Sequence, residues 1–138
     1  MNKSSLIRAG RHCVFLIHIH LVFVTKYRKD VLTKESIASC RESFTKVCKK
    51  FDAQLKEFNG EEDHVHLLVN YPPKISVSKL VNSLKGASSR VLRKLHPEIQ
   101  KRLFKGHLWS PSYFAGSCGG ASLDTIKKYI QNQQAPVE

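Results

Sequence analysis

Two stretches of the chain nearly repeat one another: HIHLVFV, from His18 to Val24, and HVHLLVN, from His64 to Asn70. Each sets two histidines one residue apart at the head of an apolar run. Side chains two apart on a strand share a face, so either pair could present both imidazoles to one cation. The first run belongs to a longer stretch, Arg11–Tyr27, whose alternation predicts one long strand. Cys13, Phe15, Ile17, Ile19, Leu21 and Phe23 then point to one side, and Val14, Leu16, His18, His20, Val22 and Val24 to the other.

The rest of the chain arranges itself around these two strands. Thr33–Phe51 has helical spacing, with Ile37, Cys40, Phe44, Val47, Cys48 and Phe51 on one stripe and Thr33 as N-cap. Ala53–Phe58 is a short strand, Asn59-Gly60 a turn signal, and Glu61-Glu62-Asp63 lengthens the loop before the second histidine strand. Ser76–Leu95 is a second amphipathic helix with Val77, Leu80, Val81, Leu84, Val91, Leu92 and Leu95 inward. Pro97 opens a basic connector, and Leu108–Ala115 reads as an edge strand because Pro111 lies in it. Residues 116–121 form a glycine joint, and Ser122 caps a last helix, Leu123–Gln134. The order strand, helix, strand, strand, helix, strand predicts a single α+β domain over residues 1–138. It is the ferredoxin-like or RRM-like βαββαβ antiparallel sheet, with an extra C-terminal helix. The histidine strands become neighbours in mid-sheet, the helices cover Val65, Leu67 and Val69, and His64 and His66 are expected on the opposite, open face.

Composition narrows the partners. Against 11 acidic residues stand 23 lysines and arginines, a net charge of +12, which points to an anionic partner and to nucleic acid first. Between Ser76 and His107 eight cations (Lys79, Lys85, Arg90, Arg93, Lys94, Lys101, Arg102, Lys105) accompany a single acid, Glu98. Such clustering favours a phosphate-binding surface over general solubility. Cys13, Cys40, Cys48 and Cys118 form no CxxC pair and are expected as reduced thiols. Val14–Val24 is too short to span a bilayer and no cleavage site follows it, so an intracellular, cytoplasmic protein without a membrane partner is expected.

The spacing of the HxH pairs is weak support for metal, because partly buried, hydrogen-bonded histidines produce the same pattern. A further ligand could come from the last helix, where Tyr129 and Gln133 stand four apart on one face. Gln133 could offer a carbonyl oxygen to a divalent cation bound by two neutral histidines, which would keep its charge for polarising a phosphate. Tyr129 could attack that phosphate and form a covalent phosphotyrosine. Spacing alone favours the plainer alternative, an amphipathic tyrosine covering the core.

Taken together, these motifs resemble the small single-tyrosine HUH transposases of bacterial and archaeal insertion sequences. The likeness lies in HVHLLV for the HUH motif (His64, Val65, His66) and KYIQNQQ for the tyrosine helix. HLVFVTKYR, SKLVNSLKGASSR, LWSPSYF and GSCGG are also similar, so nearly the whole chain takes part. The resemblance implies that His64, His66 and Gln133 bind Mg²⁺ or Mn²⁺ and that Tyr129 is the nucleophile. It implies a single-strand DNA endonuclease and strand transferase that cleaves at transposon ends beside DNA hairpins, through a 5′-phosphotyrosine and a free 3′-OH. A homodimer is implied too, with Gly119 and Gly120 as a hinge that lets the tyrosine helix pack against the partner's histidines. Lys79, Lys85 and Arg90 are candidates for hairpin backbone contacts, each also readable as an ordinary solvated charge.

Other readings rank lower. A domesticated HUH nuclease of repeated palindromes, or a replication or conjugation nickase, stays within the same chemistry, and relaxases usually run longer. Two-histidine phosphoesterases pair His with Ser or Thr, whereas the second partner here is His20 or His66. A non-catalytic single-strand binder would display an aromatic platform, and the histidine faces carry none.

Overall fold

The computed structural model describes residues 7–117, the side chain of Phe104 excepted. A two-stranded hairpin, β1 (Arg8–Gly10) and β2 (Cys13–Phe15), precedes β3 (His18–Thr25) and α1 (Lys34–Lys50). Then follow β4 (Gln54–Gly60), β5 (His64–Asn70), α2 (Val77–Leu95), the short α3 (Pro97–Gln100) and β6 (Trp109–Ser117). β3 to β6 form one antiparallel sheet in the order β4-β5-β3-β6. This is the expected ferredoxin-like α+β arrangement, with the two histidine strands paired at its centre. The joint at Gly119 and Gly120 and the helix expected to carry Tyr129 and Gln133 lie outside the described residues.

α1 and α2 cover one face of the sheet. Ile19, Leu21 and Phe23 of β3 and Val65, Leu67 and Val69 of β5 pack with Cys40, Phe44, Leu80, Leu84 and Leu92. Phe23 stands at the centre, edge-on to Phe44, Trp109 and Tyr113 at centroid distances of 5.7, 5.9 and 6.4 Å. Truncating such a residue costs about 3–5 kcal/mol. Both helices start where sequence predicts. Thr33 and Ser36 exchange a capping box (3.1 and 2.8 Å), and the Ser76 hydroxyl accepts the Lys79 amide (3.2 Å). Trp109 Nε1 donates to Ser88 Oγ (2.9 Å), which ties β6 to α2 through a buried bond.

The structure departs from sequence expectation at five places. Gly116 and Ser117, expected in the glycine joint, instead end β6, where they lie opposite His20 and Ile19. Arg11–Tyr27 is not one strand. The chain reverses after Gly10, with His12 in the left-handed region at φ 64°, so Arg8–Gly10 pairs with Cys13–Phe15. Arg8 holds that hairpin down by donating to Asn70 Oδ1 (2.6 Å) and Asp52 O (2.5 Å), a long-range anchor that alternation cannot reveal. Asn59-Gly60 is not the turn either: both residues pair with β5, and the reversal falls at residues 61–63. Gly60 serves close approach instead, because a Cβ there would lie 2.8 Å from the Ile37 side chain. Leu95, expected inward, is 60% exposed at the end of α2. Finally, the sheet face opposite the helices is not open: His20, Val22 and Val24 are fully buried and His66 is 8% exposed.

Cys40 and Cys48 are buried, and burial pushes the Cys48 thiol up to about 11 and that of Cys40 higher still. With Cys13 they are free thiols, inert as nucleophiles where buried.

Candidate active site

Antiparallel pairing decides which histidines meet. Val24 lies opposite His64, Val22 opposite His66, His20 opposite Leu68 and His18 opposite Asn70. The two HxH motifs therefore run from opposite ends of the sheet on one face. His20 and His66 become diagonal neighbours, their rings stacked at 5.6 Å, with His64 edge-on to His66 at 4.8 Å. Phe114 of β6 stands edge-on to His20 at 6.2 Å. His18 lies at the far end.

The partners of the two outer histidines differ in kind. The Asp63 carboxylate accepts from His64 Nδ1 at 2.7 Å. Asp63 is itself held by Arg28, whose Nε and second guanidinium nitrogen donate to its other oxygen at 3.3 and 3.1 Å. Burial raises the carboxyl pKa, but the hydrogen bond and charge of His64 and the charge of Arg28 outweigh it, leaving Asp63 below the usual carboxylate range. A carboxylate on Nδ1 fixes the tautomer and leaves Nε2 with its lone pair, the arrangement in which imidazoles ligate metals. At the other end Asn70 takes Arg8 on its carbonyl oxygen (2.6 Å) and donates from its amide nitrogen to His18 Nε2 at 3.4 Å. That bond occupies a lone pair a cation would need. Burial first, then the charge of Lys56, lowers the His18 pKa.

The described donors at His64 and His66, two adjacent imidazoles of which one is oriented by a carboxylate, are of a kind that ligates divalent cations, and a hard ion there would need further oxygen ligands. Among the described residues no group of three or more His, Cys, Asp or Glu is set to hold a metal ion. Tyr129 and Gln133 lie outside the described residues, so their placement relative to the pair is not described. Asp63 and Arg28 escaped sequence reasoning. The sequence signal for Asp63 is an acid immediately before the HxH, at the end of an acidic loop.

The three candidate DNA cations sit on α2, against the sheet face opposite the histidines. Lys79 and Arg90 are exposed. Lys85 is half-buried and donates to Ser110 O at 2.5 Å, with its ammonium 5.8 Å from the Tyr113 ring. Burial pulls its pKa below the usual lysine range. Its observed partner is thus the β6 backbone.

Comparison with known proteins places this geometry. A family model for IS200-like transposases matches residues 13–133. The chain belongs to the IS200-like transposase family. Among curated relatives, the ISDra2 transposase TnpA of Deinococcus radiodurans is 30% identical over 126 residues, covering 91% of this chain and 90% of that protein. The transposase for insertion sequence element IS200 of Salmonella typhimurium is 29% identical over 132 residues, 96% of this chain and 84% of that protein. A crystal structure of a Deinococcus radiodurans R1 protein assigned as a transposase superposes with a TM-score of 0.77 at 31% identity. It covers 94% of this chain and 99% of that one. A REP-associated tyrosine transposase bound to a REP hairpin shares the fold, with a TM-score of 0.58 at 11% identity over 89% of this chain and 67% of that one. As an IS200-like transposase, the chain is a DNA-processing enzyme. No helix among the described residues is long and apolar enough to cross a membrane.

Proposed function

We propose that this transposase cleaves and rejoins single-stranded DNA at transposon ends through a 5′-phosphotyrosine, with Tyr129 as nucleophile. The observation that carries the reading is the pair His64 and His66 side by side on one sheet face, with Asp63 fixing His64 to present Nε2. These two imidazoles, with the Gln133 side-chain carbonyl, would hold Mg²⁺ or Mn²⁺. When bound, such an ion polarises the scissile phosphate and offsets charge developing on it. The Tyr129 hydroxyl attacks phosphorus and the bond to the 3′ oxygen breaks, leaving a free 3′-OH. Attack of another 3′-OH on the phosphotyrosine restores a phosphodiester and frees the tyrosine. One phosphoester replaces another at each step, so no ATP is consumed.

Further parts of the reading follow from the resemblance. The enzyme acts on prokaryotic DNA in the cytoplasm, as a homodimer. Each protomer grips a hairpin near a transposon end, Lys79, Lys85 and Arg90 contribute to backbone contacts, and the Gly119-Gly120 joint lets the tyrosine helix act in trans. The hairpin ligand of the REP-associated neighbour fits this expectation.

The test is a labelled single-stranded hairpin bearing the transposon-end sequence, incubated with protein and Mg²⁺ or Mn²⁺. A covalent protein–DNA band should survive denaturation, require metal and vanish in Tyr129→Phe. Cleavage that persists in Tyr129→Phe or in EDTA would contradict the mechanism.

A further inference from the structure

The residues just past β3 adopt an expensive backbone. Tyr27 and Arg28 stand consecutively in the left-handed region, at φ 58° and 52°, and neither is glycine. Such strain persists only where surroundings enforce it, and it concentrates at binding sites. Here four bonds impose it. Thr25 Oγ1 donates to Lys29 O (2.7 Å), the Thr25 amide to Asp63 O (2.9 Å), the Lys26 amide to Leu108 O (2.8 Å) and the Lys29 amide to Lys26 O (3.4 Å). The result is a tyrosine residue 59% exposed, with the Lys26 ammonium 5.1 Å from its ring centroid.

The setting of that ring is cationic. Lys26, Tyr27, Lys29, Arg102 and His107 line a narrow crevice floored by Val31 and Leu108, and none of its described lining residues is acidic. The corner also lies at the His64 end of the sheet. Val24, opposite His64, is three residues before Tyr27, within about 10 Å along the chain. Arg28, from the strained turn itself, clamps Asp63.

We propose that this corner is a single-strand DNA platform, where one unpaired base stacks on Tyr27 and the flanking phosphates lie against Lys29 and Arg102. An exposed ring among cations takes an unstacked base with little regard to sequence, whereas paired bases in a duplex hide their faces. The inference deepens the proposed function by naming what carries the strand up to the His64–His66 pair, and it rests on that reading.

Fluorescence anisotropy on the full-length protein, with labelled oligo(dT) in EDTA, tests the platform without metal or cleavage. Tyr27→Ala should weaken oligo(dT) binding about tenfold, while Tyr27→Phe and Tyr27→Trp stay within about twofold. Affinity for a blunt hairpin without a single-stranded tail should not change. Lys29→Gln and Arg102→Gln should each flatten the slope of log affinity against log salt by about 0.7. Tyr27→Gly relieves the backbone, so it should lose oligo(dT) as Tyr27→Ala does without melting earlier. The proposal is overturned if Tyr27→Ala binds oligo(dT) like the parent, if it loses blunt hairpin equally, or if Tyr27→Gly melts earlier yet binds normally. Tighter binding of oligo(rU) than oligo(dT) also overturns it. Because the assay excludes metal, a missing covalent band with an intact Tyr27 effect removes the cleavage mechanism and leaves the platform standing.

Discussion

The strands β3 and β5 carry the same HxH spacing, sit side by side and place their histidines on the same sheet face, yet their outer histidines are wired oppositely. At His64 an arginine holds a carboxylate that accepts from Nδ1, so Nε2 keeps its lone pair. At His18 another arginine holds an amide that donates to Nε2, so the lone pair is occupied. The Arg28–Asp63–His64 and Arg8–Asn70–His18 chains differ in the group that meets the ring, carboxylate against carboxamide, and in the nitrogen it meets, Nδ1 against Nε2. That difference leaves the Nε2 lone pair of His64 open and occupies that of His18. Spacing motifs report which side chains share a face; the neighbour on the far ring nitrogen decides what they can do.

Breaking this comparison at its strongest point should have the largest effect. His64→Ala or His66→Ala should reduce cleavage by more than about a hundredfold with hairpin affinity retained, whereas His18→Ala should leave cleavage within a few-fold of the parent. Gel analysis of covalent product beside anisotropy on the hairpin separates the two quantities. Next, Asp63→Asn exchanges the carboxylate on His64 Nδ1 for an amide and so removes the anion that orients the ring. Metal affinity should fall about 10–100-fold by Mn²⁺ titration, with hairpin binding unchanged.

The smallest effect concerns pH. Burial and then the Lys56 charge hold the His18 pKa in the fold below the ordinary histidine value of 6.5, so the unfolded chain binds a proton more readily than the fold does. The stability it contributes is therefore complete above pH 6.5 and is lost as pH falls toward the folded value. Denaturant midpoints should drop less between neutral pH and pH 5 in His18→Gln than in the parent chain.

Much of this could be read from sequence, and what could not has specific causes. Alternation and helical spacing located β3, β5, α1 and α2, and Thr33 and Ser76 marked both helix starts, because these signals are local. The β1–β2 hairpin depended on Arg8 reaching Asn70, 62 positions away. Asn59-Gly60 mimicked a turn because glycine answers two needs, and here the need was clearance beside Ile37. At the site, His64 and His66 were legible as a pair. Their contact with His20 required the register, and the part of Asp63 required knowing which ring nitrogen faced it. Lys85 reads as a DNA-backbone contact or a solvated charge because helical spacing does not show the Ser110 carbonyl beside it.

The central claim, that His64 and His66 form the metal pair and His18 does not, is tested most directly by Mn²⁺ binding. Electron paramagnetic resonance of free Mn²⁺ can follow titrations of the parent chain, His66→Ala and His18→Ala. The account predicts binding in the parent and in His18→Ala, and its loss in His66→Ala. Retention by His66→Ala, or equal loss in His18→Ala, would contradict it.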